Sequence, residues 1–201
     1  VTDDTLAIQQ AIEVAGEGAT IRFEDGKTYL VSSNIRPLNR QTLIGYGATL
    51  KRIDEIRTEL TEAFQNVDHQ RTVVDCLPCT TRWITVADAS EFRKGMQVSL
   101  FDGTTFDPRN HEVQFIDGNR MMLGINISHV FPVDSTVVSS FHILQPLPGT
   151  QDVRMLGLRI DGNARGNQTA ARWELQNSVR SYSTRGIIRD MTIVDSQSEG
   201  I

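Results

Sequence analysis

Four carboxylates stand near a pair of similar segments in the last quarter of this 201-residue chain: Asp161, Asp190, Asp195 and Glu199. Arg159 precedes the first by two positions, Arg189 sits directly before the second, and Trp173 lies between the two groups. A pair of carboxylates can divide the work of glycoside hydrolysis, one protonating the leaving oxygen and the other acting as base or nucleophile. Eliminative cleavage of a uronate needs instead a base, often Arg or Lys, and a neutralising charge such as Ca²⁺ held by acids. Arginine forks suit acidic sugars, and an aromatic side chain offers a platform for a sugar ring. Each residue also has a plainer role. Asp161 opens the turn Asp161-Gly162-Asn163 and Asp195 the turn Asp195-Ser196, where Asp is a standard turn former. Arg154, Arg159, Arg185 and Arg189 fit a solvated face equally well.

Other chemistry is poorly provided for. Cys76 and Cys79 form a lone CxxC. As half a zinc site it lacks a second pair, and His69 stands seven residues before Cys76, a poor ligand spacing. As a redox dithiol it lacks a helix N-terminus in a βαβ unit. The two thiols read as small semi-buried side chains. His111, His129 and His142 have no partners at metal spacing, so no metal site is expected. The sequons at Asn126 and Asn167 read as chance matches.

Bulk properties narrow the class. Hydrophobic residues make up 39% of the chain, which marks it as globular. A net charge of −5 with interspersed signs argues against a nucleic-acid partner. No apolar run approaches the ~20 residues of a membrane span. The chain opens on Val1 without a signal peptide and stops at Ile201. The expectation is a piece of a longer protein, with further catalytic residues beyond Ile201.

The elements that must position these residues are short. Leu6, Ala7, Ile8, Ala11, Ile12 and Ala15 recur at helical spacing, which predicts a helix over 3–15. Thr2, Asp3 and Asp4 supply its N-cap oxygens, a role preferred to catalysis for the aspartate pair, and Gly16–Gly18 end it. "TIRFEDGKTYLVSS" reads as strand, Asp-Gly turn, strand. Ile56, Leu60 and Phe64 suggest a short helix at i, i+4, i+8. From Trp83, alternating strands and the turn in "IDGNRMML" predict a small antiparallel barrel or sandwich of about five strands, with Pro146 and Pro148 at its exit. Then Met155, Leu158 and Ile160 recur as Ile188, Met191 and Ile193 at a constant offset of 33, a solenoid signal. Trp173 and Leu175 are candidate inward residues between the copies.

The opening residues carry a resemblance. Asp3-Asp4-Thr5, the Ala7–Ile12 helix, Gly16 and Gly18, and Gly26-Lys27-Thr28-Tyr29 resemble the N-terminal cap of pectate-lyase-like right-handed parallel β-helix proteins. "LRIDGN" and "IIRDMTIVDSQSEGI" look like coil repeats of that superfamily. The resemblance covers about residues 1–52 and 152–201. It implies an all-β fold: a right-handed parallel β-helix with an N-terminal capping helix and an inserted small antiparallel β domain. The boundaries expected are 1–54 for cap and first coil, 55–149 for the insertion and 150–201 for continuing coils.

The superfamily holds polysaccharide lyases, glycoside hydrolases, uronate epimerases and phage tail spikes, so fold does not fix activity. It implies an extracellular or virion-associated protein that binds an extracellular or cell-surface polysaccharide and cleaves it as lyase or hydrolase. The alternative is a non-catalytic assembly module of a trimeric spike or adhesin. Cleavage would fall to Asp161, Asp190, Asp195 and Glu199, and sugar contact to Arg159, Arg189 and Trp173. No cofactor is expected beyond Ca²⁺ in the lyase case, and a homotrimer in the spike case. The paired corner aspartates of polygalacturonase-like members are missing from these repeats. The epimerase Asp-Pro-His-Glu signature is broken in "FDPRNHE", where Arg109-Asn110 separates Asp107-Pro108 from His111-Glu112, and the segment reads as a loop.

Overall fold

A computed structural model describes residues 2–63, 82–105, 107, 111–125, 127, 130–167, 178–196 and 200. Among these residues the chain is all-β apart from one α-helix and short 3-10 turns such as Ala164–Gly166. It divides into two compact units, Val1–Asp54 with Phe141–Ile201, and Glu55–Ser140.

The first unit is built from two parallel four-stranded sheets. One holds β1 (Thr20–Arg22), β3 (Thr42–Ile44), β11 (Arg154–Leu156) and β13 (Ile187–Arg189), in that order. The other holds β2 (Thr28–Val31), β4 (Thr49–Arg52), β12 (Arg159–Asp161) and β14 (Thr192–Val194), in the order β2-β4-β12-β14. Register is kept residue for residue. Ile21, Leu43, Met155 and Ile188 align across the first sheet, and Tyr29, Leu50, Ile160 and Ile193 across the second. A third line of single bridges joins Ile35, Leu144 and Val179. All three lines meet in one apolar cluster, with Leu43, Leu50, Ile160 and Leu144 wholly buried. Burying such a side chain contributes about 1.5–3 kcal/mol, so register is fixed by which face of each short strand is apolar.

Two local expectations are corrected here. The Asp25-Gly26 turn does not close a hairpin. It sends the chain from the first sheet to the second, where β1 pairs with β3 and β2 with β4. Nor do Ile56 and Leu60 belong to a helix. Thr58 is buried between exposed Arg57 and Glu59 in β5 (Arg57–Glu59), a period of two. Phe64 lies outside the described residues.

Helix α1 (Thr5–Ala15) lies over the β2 side of this unit and puts Ile8 and Ile12 into the same cluster. The N-cap is Asp4, whose side chain makes no cap bond; Asp3, one residue before it, ties the start down instead, Oδ1 accepting from the Thr5 amide at 3.0 Å and Oδ2 from the Ser32 hydroxyl at 2.5 Å. Asp4 does something else. Its Oδ2 accepts from the Leu30 amide at 2.9 Å, and its own amide donates to the Leu30 carbonyl at 2.8 Å. Gln9 repeats the trick at Arg36, accepting from the amide at 2.9 Å and donating to the carbonyl at 3.4 Å. β2 is an edge strand, and unpaired edge groups are the part of a sheet most prone to aggregation. Asp4, at the start of the helix, thus satisfies both backbone groups of Leu30 on that edge, one with its side chain and one with its own amide.

The second unit is a six-stranded antiparallel sheet. It comprises β5, β6 (Trp83–Thr85), β7 (Gln97–Phe101), β8 (His111–Asp117), β9 (Arg120–Leu123) and β10 (Thr136–Ser139), ordered β5-β10-β7-β8-β9-β6. Its two edges meet. Leu60 and Val86, one residue past β5 and β6, form an antiparallel bridge, with Thr61 donating to Thr85 at 3.0 Å and Ala87 to Glu59 at 2.8 Å. Closure removes the edges.

Candidate functional site

The corner between the two parallel sheets collects the richest surface chemistry. Gly45, Gly157 and Asp190 follow β3, β11 and β13 in line: the Gly45 amide donates to Leu156 and the Gly157 amide to Arg189, each at 3.0 Å. Asp190 turns with φ 56° and Gly157 with φ 69°. Asp tolerates this left-handed conformation better than most residues. The β3 copy of the corner is longer and carries Tyr46 and Gly47 before Ala48. Gly47 is pinned to the neighbouring turn, its carbonyl accepting from the Gly26 amide at 3.1 Å.

Tyr46 therefore leans along the stack. Its ring lies across Gly157, where an added Cβ would come within 2.4 Å of the ring. Its hydroxyl donates to Asp190 Oδ2 at 2.9 Å. Arg189 Nε stands 3.3 Å from the same oxygen. The ring is fixed at both ends yet 51% exposed. An exposed aromatic held in one pose, beside a carboxylate and a guanidinium, presents an apolar face with acceptors and donors at its rim.

The other predicted site residues fall elsewhere. Arg159 and Asp161 share the outward face of β12, with Thr49 and Thr192 flanking Arg159 and Lys51 and Val194 flanking Asp161. Asp161 acts as a turn former, its Oδ1 accepting from the Asn163 amide at 2.9 Å. Asp195 takes φ 47°, and its carbonyl accepts from Ala164 at 2.9 Å. Thus Arg189 and Asp190 come together with Tyr46, while Arg159 and Asp161 stand on the second sheet. Glu199, Trp173 and Leu175 lie outside the described residues, as do Cys76, Cys79, His69, His129 and Asn126. Asn167, of the second sequon, is 1% exposed and donates to Ile53 and Asn163.

Asp107, His111 and Arg52 are interior. Asp107 Oδ2 and His111 Nε2 lie 3.2 Å apart, both fully buried. This pair from "FDPRNHE" is out of reach of a polymeric substrate. Burial lowers the Arg52 pKa to about 10, and its guanidinium sits 4.5 Å from the centre of the Phe141 ring. Arg52 remains charged at neutral pH. Among the described residues no group of three or more His, Cys, Asp or Glu could hold a metal ion. No helix among them is long and apolar enough to cross a membrane. Sequence reasoning missed Tyr46. The signal available was an aromatic between two glycines at a predicted corner.

The chain is thus an all-β protein of two units. No family model matches it, and no curated protein does. Among solved structures it is similar to three bacteriophage tail spikes, each at 13% identity. Gp54 of Acinetobacter baumannii bacteriophage AP22, solved in complex with A. baumannii capsular saccharide, matches over 80% of this chain and 32% of its own, at a TM-score of 0.32. The tailspike gp61 of Pseudomonas phage phi297 matches over 82% and 31%, at 0.34. The tailspike gp49 of Pseudomonas phage LKA1 matches over 91% and 33%, at 0.27. The chain spans about one third of each of these proteins. TM-scores this low do not establish a common fold.

Proposed function

We propose that the first unit is the capped end of a right-handed parallel β-helix, and that the protein is directed at an extracellular or cell-surface polysaccharide, in the manner of a virion-borne tail spike. The observation that carries the ligand class is the Tyr46 corner. A pyranose has an apolar C–H face and a rim of hydroxyls. Tyr46 offers a flat partner for the face, while Asp190 accepts from hydroxyls and Arg189 donates to hydroxyls or carboxylates. Because Gly157 and Asp190 already hold the ring, little rotamer entropy is lost on binding.

In this reading Arg159, one strand set away, meets the same polymer further along. Asp190 is the carboxylate placed for chemistry, and Asp161 and Asp195 are turn formers first. The test is binding of the chain to immobilised capsular, O-antigen and pectic polysaccharides, with release of reducing or unsaturated ends assayed on whichever binds. Tyr46→Ala is expected to weaken binding about tenfold, the equivalent of ~1.4 kcal/mol. Retention of none of these polysaccharides, or equal retention of wild type and Tyr46→Ala, would sink the proposal.

A further inference from the structure

We infer that the second unit carries its own saccharide-binding surface, formed by Trp83, Met122, Phe115 and Arg120. The carrying observation is a β-bulge. In the β8–β9 ladder Val113 pairs with Leu123, and the next pair is Phe115 with Met122, so Gln114 is an extra residue. On a regular strand Phe115 would point the same way as Val113, which is fully buried. The bulge reverses that and leaves Phe115 53% exposed. Bulges re-aim side chains at the expense of ladder bonding. Here one re-aims a phenylalanine out of a core and into solvent.

The re-aimed ring joins a row. Phe115 pairs with Met122, and Met122 pairs with Trp83 on the far side. The Phe115 and Trp83 rings meet edge to face, with centroids 6.1 Å apart at 82°. The Arg120 guanidinium stands 4.9 Å from the centre of the Trp83 ring. The core does without all of them, since Ile84, Met121 and Leu123 fill it from the other face. A cross-strand aromatic pair adds some stability, about 0.2–1 kcal/mol. That gain does not account for the bulge, because the unbulged strand would bury Phe115 instead.

The dimensions choose the occupant. Three strands about 4.8 Å apart give a row about 10 Å wide, the span of one or two sugar rings. A stable protein interface takes about 800 Å² from each partner, and three partly covered side chains of about 150–250 Å² each when whole do not supply it. The rim is polar: Arg120 is beside Asp117 and Thr85, and the Thr85 hydroxyl donates to Glu62 at 3.0 Å. A narrow apolar row with a hydrogen-bonding rim matches a saccharide. The ligand class rests on the reading of the Tyr46 corner, but the residues are different.

The test uses the whole chain with Trp173→Phe, which leaves Trp83 as its one tryptophan. Its emission is followed during titration with A. baumannii capsular saccharide, hexagalacturonate and cellohexaose. A saturable blue shift with at least one probe is expected. Phe115→Thr, a strand former that keeps the fold, should weaken it at least tenfold, and Lys27→Ala, on the exposed Asp25-Gly26 turn, should leave it unchanged. If a probe binds by calorimetry while Trp83 emission stays constant, this surface is refuted and the Tyr46 reading stands. If no probe binds, both fall. If the chain self-associates and Phe115→Thr abolishes that, the row is a protein interface and the inference is overturned.

Discussion

Gln41 is the side chain on which α1 depends most directly. It is fully buried. Its Nε2 donates to the carbonyls of Ile12 at 2.8 Å and Gly16 at 2.7 Å, and its Oε1 accepts from the Leu38 amide at 2.9 Å. The last carbonyls of a helix have no partner within it, so one amide closes the C-terminal end and ties it to the segment before β3. In Gln41→Ala the Leu38 amide loses its side-chain acceptor. The Gly16 carbonyl keeps only a 3.4 Å contact from Ala19, while the Ile12 carbonyl keeps the Gly16 amide at 3.2 Å. An orphaned buried group costs about 1–3 kcal/mol, so losing the Leu38 acceptor and weakening the Gly16 carbonyl together should cost at least about 1 kcal/mol and at most about 6. Denaturant unfolding followed by far-ultraviolet dichroism measures this, with hydrogen exchange of the Ile8 and Ile12 amides as a local reading. Gln41→Glu adds a signed check. It faces two carbonyls with a carboxylate, so the folded pKa rises above the unfolded value. Stability is then full below the unfolded pKa and is lost as pH rises through the folded one. A loss under 1 kcal/mol in Gln41→Ala, or a Gln41→Glu chain whose stability grows with pH, would refute the assignment.

Gly157→Ala should cost about 1–3 kcal/mol, because φ is 69° and the new methyl meets the Tyr46 ring at 2.4 Å. It should also weaken polysaccharide retention as Tyr46→Ala does, and normal retention would show that the ring's seat is irrelevant. Asn163 takes φ 51° and donates to the Arg52 carbonyl at 3.1 Å and to Asp54 at 2.9 Å. Asn163→Gly keeps the backbone and loses the bonds, so it should be destabilised less than Asn163→Ala in the same denaturant assay. Equal losses would assign the whole effect to the side chain. The hydrogen bonds from Arg185 hold the Asp152 carboxyl below its ordinary value. Its folded pKa is depressed, so its contribution is present above the unfolded value of 3.8 and lost as pH falls through the folded one. Asp152→Asn should flatten the stability profile below about pH 4 and lower stability at neutral pH by the same amount, a small one given how exposed the pair is.

What the sequence made legible follows from how far each signal reaches along the chain. α1 was readable because Ile8 and Ile12 repeat at helical spacing and an aspartate, Asp4, occupies the N-cap position. The offset of 33 was readable because Met155 pairs with Ile188 and Ile160 with Ile193 in register. The segment 56–60 was misread because a spacing of four is both near one helical turn and twice the strand period. Ile56, Thr58 and Leu60 are buried on the shorter period. The turn at Asp25-Gly26 was misread because three-residue strands look the same locally whether the chain doubles back or crosses to another sheet. Phe115 gave no sign, since a bulge is a property of the pair and not of either strand.

The candidate site was half legible for a related reason. Arg189 and Asp190 stood out as charge beside a repeat, but Tyr46 bonds to Asp190 across 144 positions, and no local pattern links them. The same holds for the amides that keep the corners intact. Gln41, Asn163 and Asn167 are buried and bind backbone groups where the chain leaves its sheets. Apolar periodicity cannot mark them, because their job begins where periodicity stops. A corner removes ladder partners from the backbone, and a buried backbone group must find another. A side-chain amide carries donor and acceptor together, so it can replace a lost ladder rung at a corner. Asn and Asp both tolerate the left-handed turns, as at Asn163, Asp190 and Asp195, but a carboxylate can only accept, and at Asp190 it accepts from the Tyr46 hydroxyl. The division of labour at these corners, amides inward and acids outward, is what places Asp190 beside Tyr46 on the surface.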